Sequence, residues 1–220
     1  MGRTGTLHAW EHSGVPADLQ ACGKSLSGGY APMSCLLLSP RVVSVFERGS
    51  GTFVNHQSFQ SWAVGAATAK AVMDVYRADG LVDKSQRAGA KLEALLNEHL
   101  APLRHVGELD GRGLFWGVEL VHDGSAPYKH DKHADARNVA ANPYGIIESE
   151  GLALGPENVS QRVVNHMLQH SGATMYPCNG TIDGVRGNHL LVAPPLIITD
   201  DQLETLVLAA KKAIIAVLGE

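Results

Sequence analysis

The sequence contains few cysteines: Cys22, Cys35 and Cys178 are the three among 220 residues. Their odd number and wide spacing exclude the framework of a small disulfide-stabilised secreted domain. The three cysteines also lack the close spacing of the cysteine ligands in a structural zinc site. We therefore expect a reducing compartment, a cytoplasmic location and a functional site without a metal ion.

Long hydrophobic runs and a basic excess are absent as well. No apolar run approaches the roughly 18 residues that a membrane span needs, and the N-terminus has no basic segment followed by an apolar one. The 22 acidic residues outnumber the 18 lysines and arginines, which gives a formal net charge of -4. These features argue against a membrane protein and against a nucleic-acid partner. A small-molecule substrate fits better, and a chain with 45% hydrophobic residues can bury a substantial core.

One lysine stands among glycines near the start of the chain, where residues 22–32 read CGKSLSGGYAP. Glycine lets the backbone approach a bound group closely, so Lys24 can be presented in a confined site. A phosphate-binding P-loop is excluded, because it needs a glycine five residues before Gly23 and that position holds Asp18. Two interpretations remain for these residues alone. Lys24 is either a surface lysine in a flexible turn or an amine that forms a Schiff base with an aldehyde such as pyridoxal phosphate (PLP).

Several other segments accompany the lysine motif in a fixed order. They read GRTGTLHAWE at 2–11, GVPADL at 14–19, GTFVNHQSF at 51–59, GRGLFWGVEL at 111–120, NGTIDGVRGNH at 179–189 and APPL at 193–196. In this order and spacing they resemble the class-III aminotransferases, which are PLP-dependent enzymes of the ω-aminotransferase type. The resemblance covers almost the whole chain.

The resemblance implies a fold and a domain organisation. The expected fold is α/β, the C-terminal part of a fold-type-I PLP-dependent transferase. Residues 1–100 would form the C-terminal part of the PLP-binding large domain, and residues 101–220 the small α/β C-terminal domain. In the family an aspartate that pairs with the pyridine nitrogen precedes the GRTG motif, and it has no counterpart here. We therefore expect the C-terminal half of such an enzyme, acting as a homodimer.

The resemblance also implies roles for individual residues. Lys24 would be the catalytic lysine that forms the Schiff base with PLP and then moves a proton. Ser58 aligns with a threonine that reaches across the dimer interface to the cofactor phosphate, and its neighbour Gln57 is a further candidate for cofactor binding. Leu191 occupies a position where relatives that act on α-carboxylates often carry an arginine, so an ornithine-like substrate is disfavoured.

The expected function is PLP-dependent transfer of an amino group from an amine or ω-amino acid to a keto acid. Two alternatives stay open. One is another PLP reaction on the same scaffold, such as decarboxylation or amino-group migration. The other is a non-catalytic fragment that dimerises with a full-length relative through a long alanine-rich helix predicted over residues 60–78.

The remaining pattern predicts alternating helices and strands. Helical spacing, proline positions and capping residues predict helices at 15–21, 40–48, 60–78, 82–99 and 156–171 and a last helix that begins after Thr199. Short apolar runs predict strands at 34–39, 106–109, 114–121, 173–177 and 189–193. The histidines at 130, 133, 166 and 170 are interpreted as solvated rather than metal-binding.

Overall fold

The computed structural model describes residues 1–54, 57–121, 159–180 and 187–219. The chain divides into two compact units, Met1–Gln86 and Arg87–Glu220, and the boundary falls within helix α3 (Leu81–His99). The assignment of residues 1–100 and 101–220 to two domains of a transferase stays a prediction, because compactness alone does not say which domain of a larger fold a segment belongs to. The histidines at 130 and 133, which are interpreted from the sequence as solvated, lie outside the described residues.

The first unit contains an antiparallel ribbon of two strands, β1 (Leu19–Cys22) and β2 (Cys35–Leu38), which pair from Leu19 opposite Leu38 to Cys22 opposite Cys35. The helix predicted at 15–21 is therefore wrong. Asp18 does not lie in the first turn of a helix: its backbone carbonyl accepts a hydrogen bond of 2.9 Å from the N–H of Ser39, just beyond β2. Pairing with β2 outweighs the local helical signals.

The apolar run at 34–39 suits a buried strand, but β2 is partly exposed. Successive side chains of a strand point to opposite faces, and Leu36 and Leu37 are 50% and 45% exposed. Neither face of β2 is fully covered within the described residues. A strand in a two-stranded ribbon has fewer neighbours to bury its side chains than a strand inside a layered sheet.

Two helices complete the main elements of this unit. Helix α1 (Pro40–Arg48) has the predicted bounds. Its N-cap Ser39 accepts a hydrogen bond of 3.4 Å from the N–H of Val42, and Pro40 occupies the first turn, where no N–H partner is needed. Helix α2 (Ala63–Ala78) confirms the predicted alanine-rich helix, although it begins three residues later because Trp62 is extended.

The second unit is built on a four-stranded antiparallel sheet. Its strands are β3 (Val106–Arg112), β4 (Phe115–Leu120), β5 (Tyr176–Asn179) and β6 (Asn188–Val192), in the order β3-β4-β6-β5. All four strands were predicted, with bounds that differ by at most three residues. The turn between β3 and β4 is short, because Gly113, with φ 59°, reverses the chain directly after Arg112.

The core of the second unit lies between one face of this sheet and the helices. Helices α4 (Val159–Ser171) and α5 (Asp200–Leu218) pack against each other. The largest fully buried side chains come from these helices, from α3 and from the inward face of the sheet; they include Leu92, Leu96, Val118, Val163, Met167, Leu190, Val192, Leu203 and Ile214. The predicted capping box is confirmed, with Thr199 and Gln202 exchanging two hydrogen bonds at the start of α5. None of the helices in the described ranges has the length and apolar character of a membrane span.

Candidate cofactor site around Lys24

Lys24 begins a short 3-10 helix, Lys24–Ser27, that follows β1 after Gly23. Its backbone has φ 50°, which is uncommon for a residue with a side chain. The Lys24 side chain is exposed, and it forms no hydrogen bond or ion pair with any residue that the structure describes. Left-handed backbone at a non-glycine residue costs on the order of 1–3 kcal/mol and is concentrated at functional sites. Lys24 is therefore held in an unusual conformation with its amine available.

The rest of this turn is fixed by buried groups. Leu26 and Ser27 are buried, and the Ser27 hydroxyl donates a hydrogen bond of 2.5 Å to the carbonyl oxygen of Ala31. Gly28 ends the short helix with φ 61°, and a Cβ placed there would lie 3.1 Å from Cγ2 of Val72 on α2. The turn thus packs closely against α2 while Lys24 stays outside the packed region.

Asp18 fixes the other end of the ribbon. Its Oδ1 accepts hydrogen bonds from the Ser39 hydroxyl at 2.7 Å and from Arg41 Nε at 3.2 Å, and its Oδ2 pairs with the same guanidinium. The hydrogen bond from Arg41, followed by that from Ser39, lowers the pKa of the Asp18 carboxyl. Asp18 is the residue that excluded a P-loop, and its role is to hold β1 against the beginning of α1.

The N-terminal motif is attached to β1 through Gln20. The rings of His8 and Trp10 stack nearly parallel with their centroids 5.6 Å apart. Trp10 Nε1 donates to Gln20 Oε1 at 2.9 Å, and Gln20 Nε2 lies 2.8 Å from His8 Nδ1. Strand β1 therefore connects residues 2–11 with the lysine turn. The sequence gives only the order of these two motifs and does not reveal this connection.

Gln57 and Ser58 lie in a turn before α2. The Gln57 Oε1 accepts a hydrogen bond of 3.2 Å from the N–H of Phe59, and the exposed Ser58 hydroxyl has no hydrogen-bond partner among the described residues. Gln57 lines a cavity of about 750 Å³ beside Phe53 and Trp62, whereas neither Lys24 nor Ser58 lines it. The three predicted cofactor-binding residues do not meet in this cavity, and their roles stay predictions.

No group of three or more histidines, cysteines and acidic residues within the described ranges could hold a metal ion. His166 and His170 on α4 stack with their ring centroids 4.0 Å apart, and His170 Nδ1 lies 2.9 Å from the backbone carbonyl oxygen of His166. The expectation of a site without a metal stays a prediction, since residues 130 and 133 are outside the described part.

Gln20 and Ser27 were not identified from the sequence, and the helix predicted at 15–21 gave no indication that Asp18 anchors a strand pair. The signal that could have revealed them was present. Two short segments, 19–22 and 35–38, lie on either side of a glycine-rich stretch, which is a pattern typical of a hairpin.

The family model of the class-III aminotransferases matches residues 1–214, and the chain belongs to this family. An aminotransferase of Schizosaccharomyces pombe is 36% identical over 214 residues, which are 97% of this chain and 41% of that protein. An aminotransferase of Gibberella zeae is 34% identical and covers 100% of this chain and 38% of its own length. The chain thus spans about two fifths of the length of these relatives.

Solved structures show the same fold. A transaminase from the marine bacterium Virgibacillus superposes with a TM-score of 0.76 at 24% identity, covering 99% of this chain and 43% of that one. The PMP-bound form of an aminotransferase from Vibrio fluvialis gives a TM-score of 0.74 at 23% identity, with 100% and 42% covered. The predicted α/β fold, part of a PLP-dependent transferase, is confirmed.

Proposed function

We propose that this chain supplies the Schiff-base lysine of a PLP-dependent aminotransferase that transfers an amino group from an amine or ω-amino acid to a keto acid. The supporting observation is Lys24 itself. Its amine is exposed and without a partner among the described residues, yet its backbone is held at φ 50° in a turn that buried neighbours fix. A lysine that must bind a cofactor covalently and later release it needs this combination.

The residues of the turn fit the cofactor. PLP, when bound, supplies the electron sink that stabilises a carbanion next to the substrate nitrogen. Lys24 would hold the cofactor through its Nζ, leave it when the substrate amine takes its place, and then carry a proton to and from the substrate carbon. The attachment of Leu26 and Ser27 to the packed region limits where the Lys24 amine can move, which favours repeated transfer along one path.

Ser58 and Gln57 are proposed to serve the cofactor of a partner subunit. The Ser58 hydroxyl can donate a hydrogen bond to a phosphate oxygen, and the Gln57 amide nitrogen can donate another. Both side chains lie in the exposed turn before α2. This role requires a homodimer in which the turn of one subunit reaches the lysine turn of the other.

Leu191 supports the proposed substrate class. It lies on β6 and lines a cavity of about 1150 Å³ together with Val164, Met175, Ile198 and Leu206. Among the described residues that line this cavity, none is an arginine or a lysine. A leucine cannot form the bidentate contact that an arginine makes with a carboxylate, so amines and ω-amino acids are favoured over substrates recognised by an α-carboxylate.

The absorbance spectrum of the purified chain with PLP tests this function. We expect a visible band that is absent in Lys24→Ala and that bleaches when an amine donor is added. Lys70→Ala is the matched control, because Lys70 is exposed and pairs with Asp74 at 2.6 Å on α2. A spectrum equal to that of free PLP, or a band that survives Lys24→Ala, would contradict the proposal. Analysis of the products would separate transamination from decarboxylation and amino-group migration.

A second candidate is a non-catalytic subunit that pairs with a full-length relative through α2. Exposed small and β-branched residues along this helix favour it, among them Val64 at 63% and Val75 at 51% exposure. Small residues let two helices approach closely. Co-purification with such a relative, with no Lys24-dependent band, would support this candidate over the first.

A further inference from the structure

Cys22 and Cys35 lie directly opposite each other in the β1–β2 ribbon. Side chains of directly opposite residues project from the same face of the ribbon, with Cβ atoms about 4.5–5.5 Å apart. Both cysteines are free thiols, Cys22 buried and Cys35 half-buried. The register therefore brings together two thiols that are 13 residues apart in the sequence, with Lys24 two residues after the first.

The pairing distance suits a disulfide. The hydrogen bond from Ser39 N–H to the Asp18 carbonyl marks a hydrogen-bonded pair of the ladder, and such pairs recur at every second position. Cys22 and Cys35, four positions further along, are of the same type, for which the Cα atoms lie about 5.5 Å apart. Disulfides span Cα separations of about 4.4–6.8 Å. The Cβ atoms must approach each other by up to about 1 Å to reach the roughly 3.5–4.5 Å separation of a disulfide. The bond therefore needs a small local adjustment of the ribbon but no change in the strand register.

We propose that Cys22 and Cys35 form a site of reversible oxidative modification, an intramolecular disulfide made by reaction with a peroxide immediately before the lysine turn. Disulfides in reducing compartments are usually transient and redox-responsive. The third thiol, Cys178, lies on β5 in the other unit, and it provides an internal reference within the same molecule.

The reaction is balanced with one peroxide. The Cys35 thiolate, the more accessible of the two, attacks one peroxide oxygen, the O–O bond breaks, and hydroxide leaves and is protonated to water. Cys35 is then a sulfenic acid, and the Cys22 sulfur attacks it as the S–O bond breaks. The departing hydroxide takes the Cys22 proton to form a second water. Two thiols are oxidised to one disulfide, and one peroxide is reduced to two waters.

The surroundings of Cys35 make this reaction slow. Burial, and then the neighbouring Cys22, raise the pKa of the Cys35 thiol, and only the thiolate reacts. The pair would therefore respond to sustained oxidant rather than to brief exposure.

Thiol counting on the full chain tests the proposal. Treatment with a small excess of hydrogen peroxide, followed by alkylation under denaturing conditions, should reduce the free thiols from three to one. The intact monomer should lose the mass of two hydrogen atoms, and digestion should yield one peptide pair linked through Cys22 and Cys35. Dithiothreitol should restore all three thiols. Because mapping the wild-type chain needs no substitution, the test does not depend on the folding of a variant, and because it needs no PLP, its failure is distinguishable from failure of the proposed function.

Two variants sharpen the result. Cys178→Ser should still lose two thiols and form the same linked peptides, whereas Cys35→Ser should form no intramolecular disulfide. The proposal is overturned if Cys22 and Cys35 stay reduced or oxidise separately to sulfinic acids. It is also overturned if the disulfide joins two chains or involves Cys178.

Discussion

The carboxylate of Asp18 and the guanidinium of Arg41 form an ion pair that joins the residue before β1 to the first turn of α1. Ser39 adds a hydrogen bond to the same carboxylate. The ribbon that leads to Lys24 is therefore held at its open end by side chains, and at the other end by the packed turn. The position of Lys24 depends on both.

Asp18→Asn should destabilise the chain in a pH-dependent way. Because the Arg41 and Ser39 hydrogen bonds lower the pKa of Asp18 in the folded state, their stabilisation is present at neutral pH. It is lost as the pH falls from about 4 through the lowered pKa. The melting temperature of the variant should be lower than that of the wild type at pH 7, and the two melting temperatures should become equal in acid. Arg41→Gln should reproduce the difference at neutral pH, and a difference that stays constant in acid would contradict the prediction.

Gly28→Ala should destabilise the lysine turn more than Gly29→Ala. Both glycines have positive φ, 61° and 81°, so each alanine should cost about 1–2 kcal/mol of backbone strain. At Gly28 the added methyl would also lie 3.1 Å from Val72 Cγ2, whereas at Gly29 it would meet no atom within 4 Å. Urea unfolding measures both free energies. Equal losses would show that the contact with α2 does not matter.

Thr199→Ala should lower the free energy of unfolding by about 1 kcal/mol. The Thr199 hydroxyl accepts from the N–H of Gln202 at 3.3 Å, and the Gln202 side chain accepts from the N–H of Thr199 at 3.0 Å. The control is Thr205→Ala, an exposed position in α5 six residues after Thr199 that takes no part in the cap. It should leave stability nearly unchanged, and a loss equal to that of Thr199→Ala would contradict the role of the capping box.

His189 should make the chain less stable in mild acid. It lies on β6 between Glu119 on β4 and Cys178 on β5, and burial lowers its pKa more than the Glu119 carboxylate raises it. The folded state favours the neutral form of His189. Its contribution to the free energy of unfolding is therefore fully present above about pH 6.5 and is lost as the pH falls through the lowered pKa. His189→Gln should flatten the pH dependence of the melting temperature between about pH 7 and pH 5. An unchanged slope would mean that other groups cause it.

The helices could be predicted because their signals are local. Ser39 and Pro40 fix the start of α1, and Thr199 with Gln202 fixes the start of α5, within three residues of sequence. Strand β1 could not be predicted in the same way. Its partner begins 13 residues after it ends, and Asp18 looks like a helix-start residue until Arg41 is placed beside it.

The candidate site was predictable only in part, for a related reason. The glycines around Lys24 marked the turn, and the order of the motifs indicated the family, which the comparisons confirm. The turn is held by contacts that sequence patterns do not show. The Ser27 hydroxyl donates a hydrogen bond to the carbonyl oxygen of Ala31, and Val72 on α2 packs closely against Gly28. A position that depends on contact between distant segments leaves no periodic signal in the sequence.

The most direct test of the account is the residue to which PLP attaches. The full chain is incubated with one equivalent of PLP, reduced with borohydride and mapped by mass spectrometry, with Lys24→Arg treated in parallel. We expect the pyridoxyl group on Lys24 in large excess over exposed lysines such as Lys70, and a loss of this label in Lys24→Arg without a gain elsewhere. Labelling spread evenly over the exposed lysines, with none favoured at Lys24, would contradict the central claim that this turn presents a Schiff-base lysine.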